Sequence, residues 1–377
     1  MNKKEIGEMR RRVRRDRSNI AAVYGCYVSD DKKIISEFKS SMGLLPENEQ
    51  EKYFALFKKV LSGKPGKTLQ DLTFPTSSVA GHDSRHQLLM RLRKDTLSND
   101  SDRKALYQTI ISSLDLDGRY VILLGCDTYD VPFKNKNGDS DADASAEVFK
   151  YILCAISPVK DTKANLHYVH KEATFHDGGM MQAVSNPELG FMFPAFNNRA
   201  TDIYGVLYYS KNTANSHPDF VDQVFGVSSP EAADHQQSRF QAALSRGLED
   251  DCSMEVLQAL QQQLQTQLLL HKEAKIAEPL VFTGHEIGSL LAASGVSDAK
   301  LKAFEKEFEK AFGVGASISA ENLFDMKRCE IVTENVAIRM QPEAAGCVEM
   351  RKIGDMDYIL IPVSDYVEVN GVPVAQK

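Results

Sequence analysis

Six arginines fall within eight positions near the start of the chain, in the run MRRRVRRDR: Arg10, Arg11, Arg12, Arg14, Arg15 and Arg17. Guanidinium groups at that density draw phosphate. Neutralising several backbone phosphates releases condensed counterions and gives a sequence-independent, salt-sensitive affinity. With Lys3 and Lys4, and against Glu5, Glu8 and Asp16, they give residues 1–17 a net charge of +5 on a chain whose formal charge is −7. RNA or a ribosome is the partner that this segregation of charge suggests. The competing use is internal. A helix over residues 3–17 gathers Ile6, Met9 and Val13 on one narrow stripe, which can lie on the protein's own core while the arginines pair with carboxylates or stay solvated. A membrane-surface helix needs a broad apolar face with Trp, Phe or Leu, which this stripe lacks.

A second set of chemically able residues sits where apolar runs end. CDTYDVP places Asp127, Tyr129 and Asp130 just beyond one strand-like run, and FNNRATD places Asn197, Asn198, Arg199 and Asp202 between two others. If the loops meet, they offer carboxylates, amides and a guanidinium able to hold a small anionic or polar ligand. The plainer alternative is an Asp130–Arg199 ion pair that fixes the loops.

Other motifs fail on spacing. GKPGKT (63–68) resembles half of a phosphate-binding loop, but Leu61 stands where the first glycine belongs and a helix, not a strand, precedes it. GHDSRH spaces His82 and His86 by four but carries Asp83 in place of the zinc-protease glutamate, and Asp83 or Ser84 reads as a helix cap. In LHYVHKEATFHD, with His167, His170, His176 and Asp177, the first two histidines would point to opposite faces of a strand. A calcium loop beginning at Asp139 would need glycine and glutamate where Ala144 and Lys150 stand. Cys26, Cys126 and Cys154 lie within apolar runs, as small buried thiols do. No metal, cofactor or catalytic group follows from these residues.

The elements that must position the two sets read as α+β. IAAVYGCYV from Ile20 is a strand. Pro46 opens a helix with Tyr53, Leu56, Phe57, Val60 and Leu61 at helical spacing, stopped by Gly63. Further helices start near Asp83 or Ser84 and run through ALYQTIISSL. YVILLGC, YILCAIS, GFMFPAF and IYGVLYYS follow without regular helical spacers, which predicts a mostly antiparallel sheet covered by helices. The polar insert 134–147 reads as a loop ending in a helix start, with Asp141, Asp143 or Ser145 as its cap. From Ser229 to about Ala277 the pattern is helical, with Val256, Leu257, Leu260, Leu264 and Leu268 striping a Gln-rich helix that could also pair two chains. A helical hairpin follows, capped at Thr283 and Ser297, and then alternating strands turn at Gly354-Asp355 and Asn370-Gly371. The expected organisation is a basic arm (1–19), an α+β domain (20–228), a helical connector (229–282) and a small C-terminal helical-hairpin plus β-sheet domain (283–377).

At 377 residues and 42% hydrophobic content the chain can bury at least one full core. No apolar run reaches the roughly 18 residues that span a bilayer, and six scattered cysteines without CxxC spacing fit a reducing, cytoplasmic setting. MNKKEI with GCYV, then DTYDVP, YILCAISPV, FPAFNNRATDIYGVLYYSKN and the terminal VEVNGV, resemble the pattern of an uncharacterised bacterial family, domain of unknown function 4317, over nearly the whole chain. The resemblance implies a bacterial intracellular protein and brings no activity or cofactor with it.

Overall fold

Alternation along YVILLG makes both faces of a strand apolar. Val121 and Leu123 bury on one side, Ile122 and Leu124 on the other, so this strand needs cover on both faces. The computed structural model describes residues 1–81, 84–134, 140–162, 166–169, 171–177, 179–274, 276, 279–324, 329–363, 367–369 and 372–374. They form two units, Met1–Ala233 and Asp234–Lys377.

The first unit is built on an antiparallel sheet of β1 (Ala22–Val28), β2 (Ile34–Ser41), β3 (Leu69–Thr73), β4 (Tyr120–Lys134), β5 (Ser140–Asp161), β9 (Leu189–Phe193) and β12 (Gly205–Ser210), in the order β2-β1-β4-β5-β9-β12-β3. β8 (Gln182–Val184) pairs with the far end of β5. Two hairpins stand off the sheet, β6 (Leu166–Val169) with β7 (Thr174–Asp177) and β10 (Ala195–Asn197) with β11 (Ala200–Asp202). One face carries α4 (Ser84–Lys94), α5 (Asp100–Ser113) and α6 (Pro218–Phe225), whose Leu92, Ile110 and Phe220 meet Ile122, Cys154 and Phe191. The opposite face carries α1 (Lys3–Arg12) and α2 (Glu47–Val60), whose Met9, Phe57 and Val60 meet Val121, Leu153 and Met192. A short α3 (Thr76–Ala80) links β3 to α4. At Gly190 a Cβ would fall 2.4 Å from the Cys154 carbonyl oxygen and 2.6 Å from Val60, so only glycine lets α2 sit this close to the sheet.

The second unit packs α7 (Ala233–Leu248), α8 (Met254–Glu273), α9 (Gly284–Ala293) and α10 (Asp298–Phe312) around Phe240, Leu260, Leu264, Ile287, Phe304 and Phe308. Thr283 and Glu286 form a full capping box at α9, which TGHE announces in the sequence. β13 (Val281–Thr283) pairs with β14 (Ser317–Ser319). Beyond α10 lie α11 (Pro342–Ala345) and three hairpins: β15 (Cys329–Val332) with β16 (Ala337–Met340), β17 (Glu349–Ile353) with β18 (Met356–Leu360), and β19 (Val367–Val369) with β20 (Val372–Val374). Gly354 makes the β17–β18 turn at φ 63°; the Asn370-Gly371 turn lies outside the described residues. The stripe on α8 is used within this unit: Leu260 and Leu264 are fully buried and Val256, Leu257 and Leu268 pack beside them.

One expectation is overturned here. The insert 134–147 holds no helix start among its described residues. From Ser140 it is the first part of β5, paired with β4 across irregular register at Pro132. Strand pairing over so long a hairpin outweighs a local capping pattern. The edge strands β2 and β3 carry no clean alternation, and β2 is exposed over most of its length, so periodicity passes over them.

Candidate anion-binding site

The basic segment begins as a well-made helix, which ends at Arg12 and does not run on to residue 17 as its period suggested, because the chain turns there to bring Ser18 and Asn19 onto Asp127. Asn2 caps α1 by accepting from the Lys4 and Glu5 amides at 3.1 and 3.0 Å, and Glu5 returns the bond by accepting from the Asn2 amide at 2.8 Å. Arg10, Arg11 and Arg12 occupy its last turn, where cations complement the helix dipole. A ten-residue helix is marginal alone; Ile6, Met9 and Val13, at most 5% exposed, bury against the sheet and hold it, each contributing roughly 1.5–3 kcal/mol. The internal use of the apolar stripe is therefore realised. The arginines divide between two roles.

Arg12 turns inward. Its Nη2 donates to Asp127 Oδ1 at 3.2 Å and to the Thr128 carbonyl at 2.6 Å, and its guanidinium stacks 4.6 Å from the Tyr129 ring. Its Nε–H is buried without a partner. Asp127, 1% exposed, also accepts from the Asn19 amide at 2.7 Å, its neighbouring Thr128 amide, Ser18 Oγ at 3.1 Å and the Tyr151 hydroxyl at 2.8 Å. Both of its oxygens are thus occupied, and it works as a buried clasp between residues 12–19 and β4. Burial and the adjoining Asp127 carboxylate push the Tyr151 phenol well above its ordinary pKa.

Glu8 makes the second clasp. It accepts from the Tyr129 hydroxyl at 2.8 Å and from Arg199 through Nη2 at 3.0 Å and Nε at 3.3 Å, while Arg199 Nη1 reaches the Pro132 carbonyl at 3.2 Å. The Asp130–Arg199 pair expected from the loops is not the one formed. Along β4, Asp127, Tyr129 and Val131 share a face, and Asp130 belongs to the opposite one and is exposed. Asn198 and Arg199 both adopt left-handed backbone (φ 52° and 57°) as the two-residue turn between β10 and β11. Such a turn favours Asn-Gly; the arginine stands there against backbone preference, and its side chain reaches Glu8. Asn197 Nδ2 and the Tyr204 amide bond to the Asp202 carboxylate at 2.5 and 3.0 Å, closing the hairpin on itself.

The two residue sets read separately in the sequence therefore meet at one end of the sheet. Between them lies a pocket of about 250 Å³ lined by Glu8, Arg11, Arg12, Arg17 and Tyr129. Around it Arg10, Arg11, Arg14, Arg15 and Arg17 are exposed. Arg14 pairs with Asp16, Arg15 with Glu47, and Arg17 lies 3.9 Å from Asp16. Arg14 holds the Asp16 carboxyl below its usual range. Exposed pairs of this kind are weak and screened by salt. Glu8 entered the sequence reading only as one charge in the count, although it lies three and four residues before Arg11 and Arg12, on their face of a helix.

The remaining motifs resolve differently. GKPGKT is a turn in which Thr68 Oγ1 accepts from the Lys64 amide at 2.7 Å, leading into edge strand β3 instead of a helix. His86 is buried, its Nε2 2.9 Å from the Ile203 carbonyl and its ring edge-on to Phe74 and Phe193. His82, Asp83 and His170, with the side chains of His167 and Asp177, lie outside the described residues, and His176 pairs with Glu172 at 2.6 Å. Among the described residues no group of three or more His, Cys, Asp or Glu is placed to hold a metal ion. Burial pushes the thiols of Cys26 and Cys126 up to about 12, the nearby Glu37 adding to it for Cys26. No described helix is long and apolar enough to cross a membrane.

An antiparallel sheet covered on both faces, with an arginine-walled pocket at the docked end of its first helix, defines an α+β architecture with a cationic end. The chain belongs to the family described as Domain of unknown function (DUF4317), whose model matches residues 1–372. No curated protein matches it.

Proposed function

We propose that the protein is an RNA- or ribosome-associated binding protein of the cytoplasm, and that Arg10, Arg11, Arg14, Arg15 and Arg17 are its phosphate contacts. One observation carries this reading: Arg10 and Arg11 stand on the last turn of a helix that is itself anchored, and Arg14, Arg15 and Arg17 on the turn after it, which Ser18 and Asn19 fasten to Asp127, so the cationic surface is in place before a partner arrives. Preorganised guanidiniums lose less freedom on binding than a loose arm would. Arg12 leaves the contact set, because Asp127 and Tyr129 engage it; its part is to hold the end of the helix. A small anionic ligand is the second reading. Its support has moved from the strand-end carboxylates, of which Asp127 and Asp202 are engaged internally and Asp130 lies on the opposite face of β4, to the pocket of Glu8, Arg11, Arg12, Arg17 and Tyr129.

The test is sedimentation of cell lysate through sucrose gradients at low and high salt, comparing the wild-type chain with one in which the five exposed arginines are changed to glutamate. Co-migration with ribosomes or RNA at low salt, release at high salt and loss in the variant support the reading. Free sedimentation of the wild-type chain at both salts rejects it.

A further inference from the structure

The second unit holds a cationic groove of its own. Helices α7 and α10 run antiparallel, with Gly247 against Phe304 at one end, where an added Cβ would lie 2.4 Å from the Phe304 Cα, and the Arg239 guanidinium 5.0 Å from the Phe312 ring centroid at the other. Along this seam is a cavity of about 380 Å³ whose charged walls are Arg239, Arg246, Lys310 and Glu307, with Ala242 and Ala311 among its small residues. Three cations face one carboxylate, and Glu307 already lies 3.5 Å from Lys310.

Arg239 and Arg246 are seven residues apart on α7, so they project from the same face about 10 Å apart along the axis. Lys310 reaches in from the opposite helix. That arrangement suits an elongated anion better than a single round one: two planar forks can each grip an oxygen pair, with a point charge between them. The alanines leave room for the ligand to lie against the helices, and the volume falls within the range of small-molecule sites. We propose that the α7–α10 groove binds a small molecule bearing a di- or triphosphate chain, its phosphates spanning from Arg239 to Arg246 and its remaining body resting on Ala242 and Ala311. This site is separate from the arginine helix of the first unit, and neither depends on the other.

The probe is inorganic tripolyphosphate, titrated calorimetrically into the full chain at low salt. The background is the variant whose five exposed N-terminal arginines are glutamates, so that any heat reports the second unit. Saturable binding with one site per chain is expected, tighter than orthophosphate. Arg246→Gln should weaken it about 10–100-fold, the loss of one charge-assisted contact, and Glu307→Gln should tighten it severalfold by removing the opposing carboxylate. All of these side chains except Glu307 are exposed and Glu307 is half-buried, so folding, checked by circular dichroism, is expected to persist. No saturable heat, or equal affinity in wild type, Arg246→Gln and Glu307→Gln, would overturn the proposal. Binding that disappears only when the N-terminal arginines are replaced would overturn it too, while leaving the RNA reading standing.

Discussion

At the scale of single residues, the anchored helix depends on Asp127. A buried carboxylate satisfied from every side is costly to delete, because its partners lose their bonds and Arg12 is left as an uncompensated charge. Asp127→Ala should cost about 3–5 kcal/mol in urea unfolding; a loss below about 1 kcal/mol would show that the clasp holds little. His217 sets a pH dependence. Burial lowers its pKa from the ordinary 6.5, so the unfolded chain takes up this proton at higher pH than the folded one does. The folded state therefore loses stability as pH falls through 6.5, down to the lowered folded value, and is flat with respect to this group above it. His217→Asn, which tolerates the same left-handed backbone (φ 49°), should remove that part of the decline between pH 7.5 and 5.5. Identical pH profiles for the two chains would contradict the assignment. The arginines and the strand-end residues were legible as chemistry in the sequence. Their pairing was not, since Arg199 finds Glu8 from 191 positions away and spacing carries no signal at that range.

At the scale of elements, two devices hold the cationic end: the stripe of Ile6, Met9 and Val13, and the β10–β11 turn that presents Arg199. Replacing Arg199 with glycine relieves a left-handed backbone worth about 1–2 kcal/mol but deletes a two-pronged ion pair worth about 1.5–3 kcal/mol. Arg199→Gly should therefore be destabilising or neutral, while Asn198→Gly should be neutral or stabilising. Chemical denaturation of both variants measures this, and a clear gain in Arg199→Gly would show that the pair to Glu8 contributes nothing. Met9→Ala should cost about 2–5 kcal/mol and speed amide exchange in α1 first. α2, with Tyr53, Leu56, Phe57, Val60 and Leu61 at helical spacing, and α9, with its Thr283 cap, were readable from sequence, as were the strands carrying long β-branched runs. The insert 134–147 was misread because its Asp and Ser residues satisfy a capping pattern locally, whereas β4 decides its conformation from across the sheet. The edge strands β2 and β3 escaped because an edge needs no apolar face to stay paired.

At the scale of the whole molecule, charge is segregated and anchored: an acidic chain carries a fixed arginine cluster at one end of its sheet. The α+β class followed from the order of helical and strand patterns. That helices would cover both faces was implicit in YVILLG, where four consecutive residues bury in alternation. What the sequence left open was whether the basic segment is an arm or a part of the fold, since burial of three aliphatic residues depends on a surface that only the assembled sheet provides. If this anchored cluster grips phosphate, its affinity for RNA must fall with salt. The most direct measurement is the salt dependence of binding to a fluorescent single-stranded RNA 20-mer by the purified wild-type chain and the five-arginine glutamate variant. The wild-type chain should bind with a logarithmic salt slope of about −3.5, about −0.7 for each of five contacted phosphates, and the variant should lose both affinity and slope. No measurable wild-type binding at low salt, or the same slope in both chains, would contradict phosphate binding by the cluster.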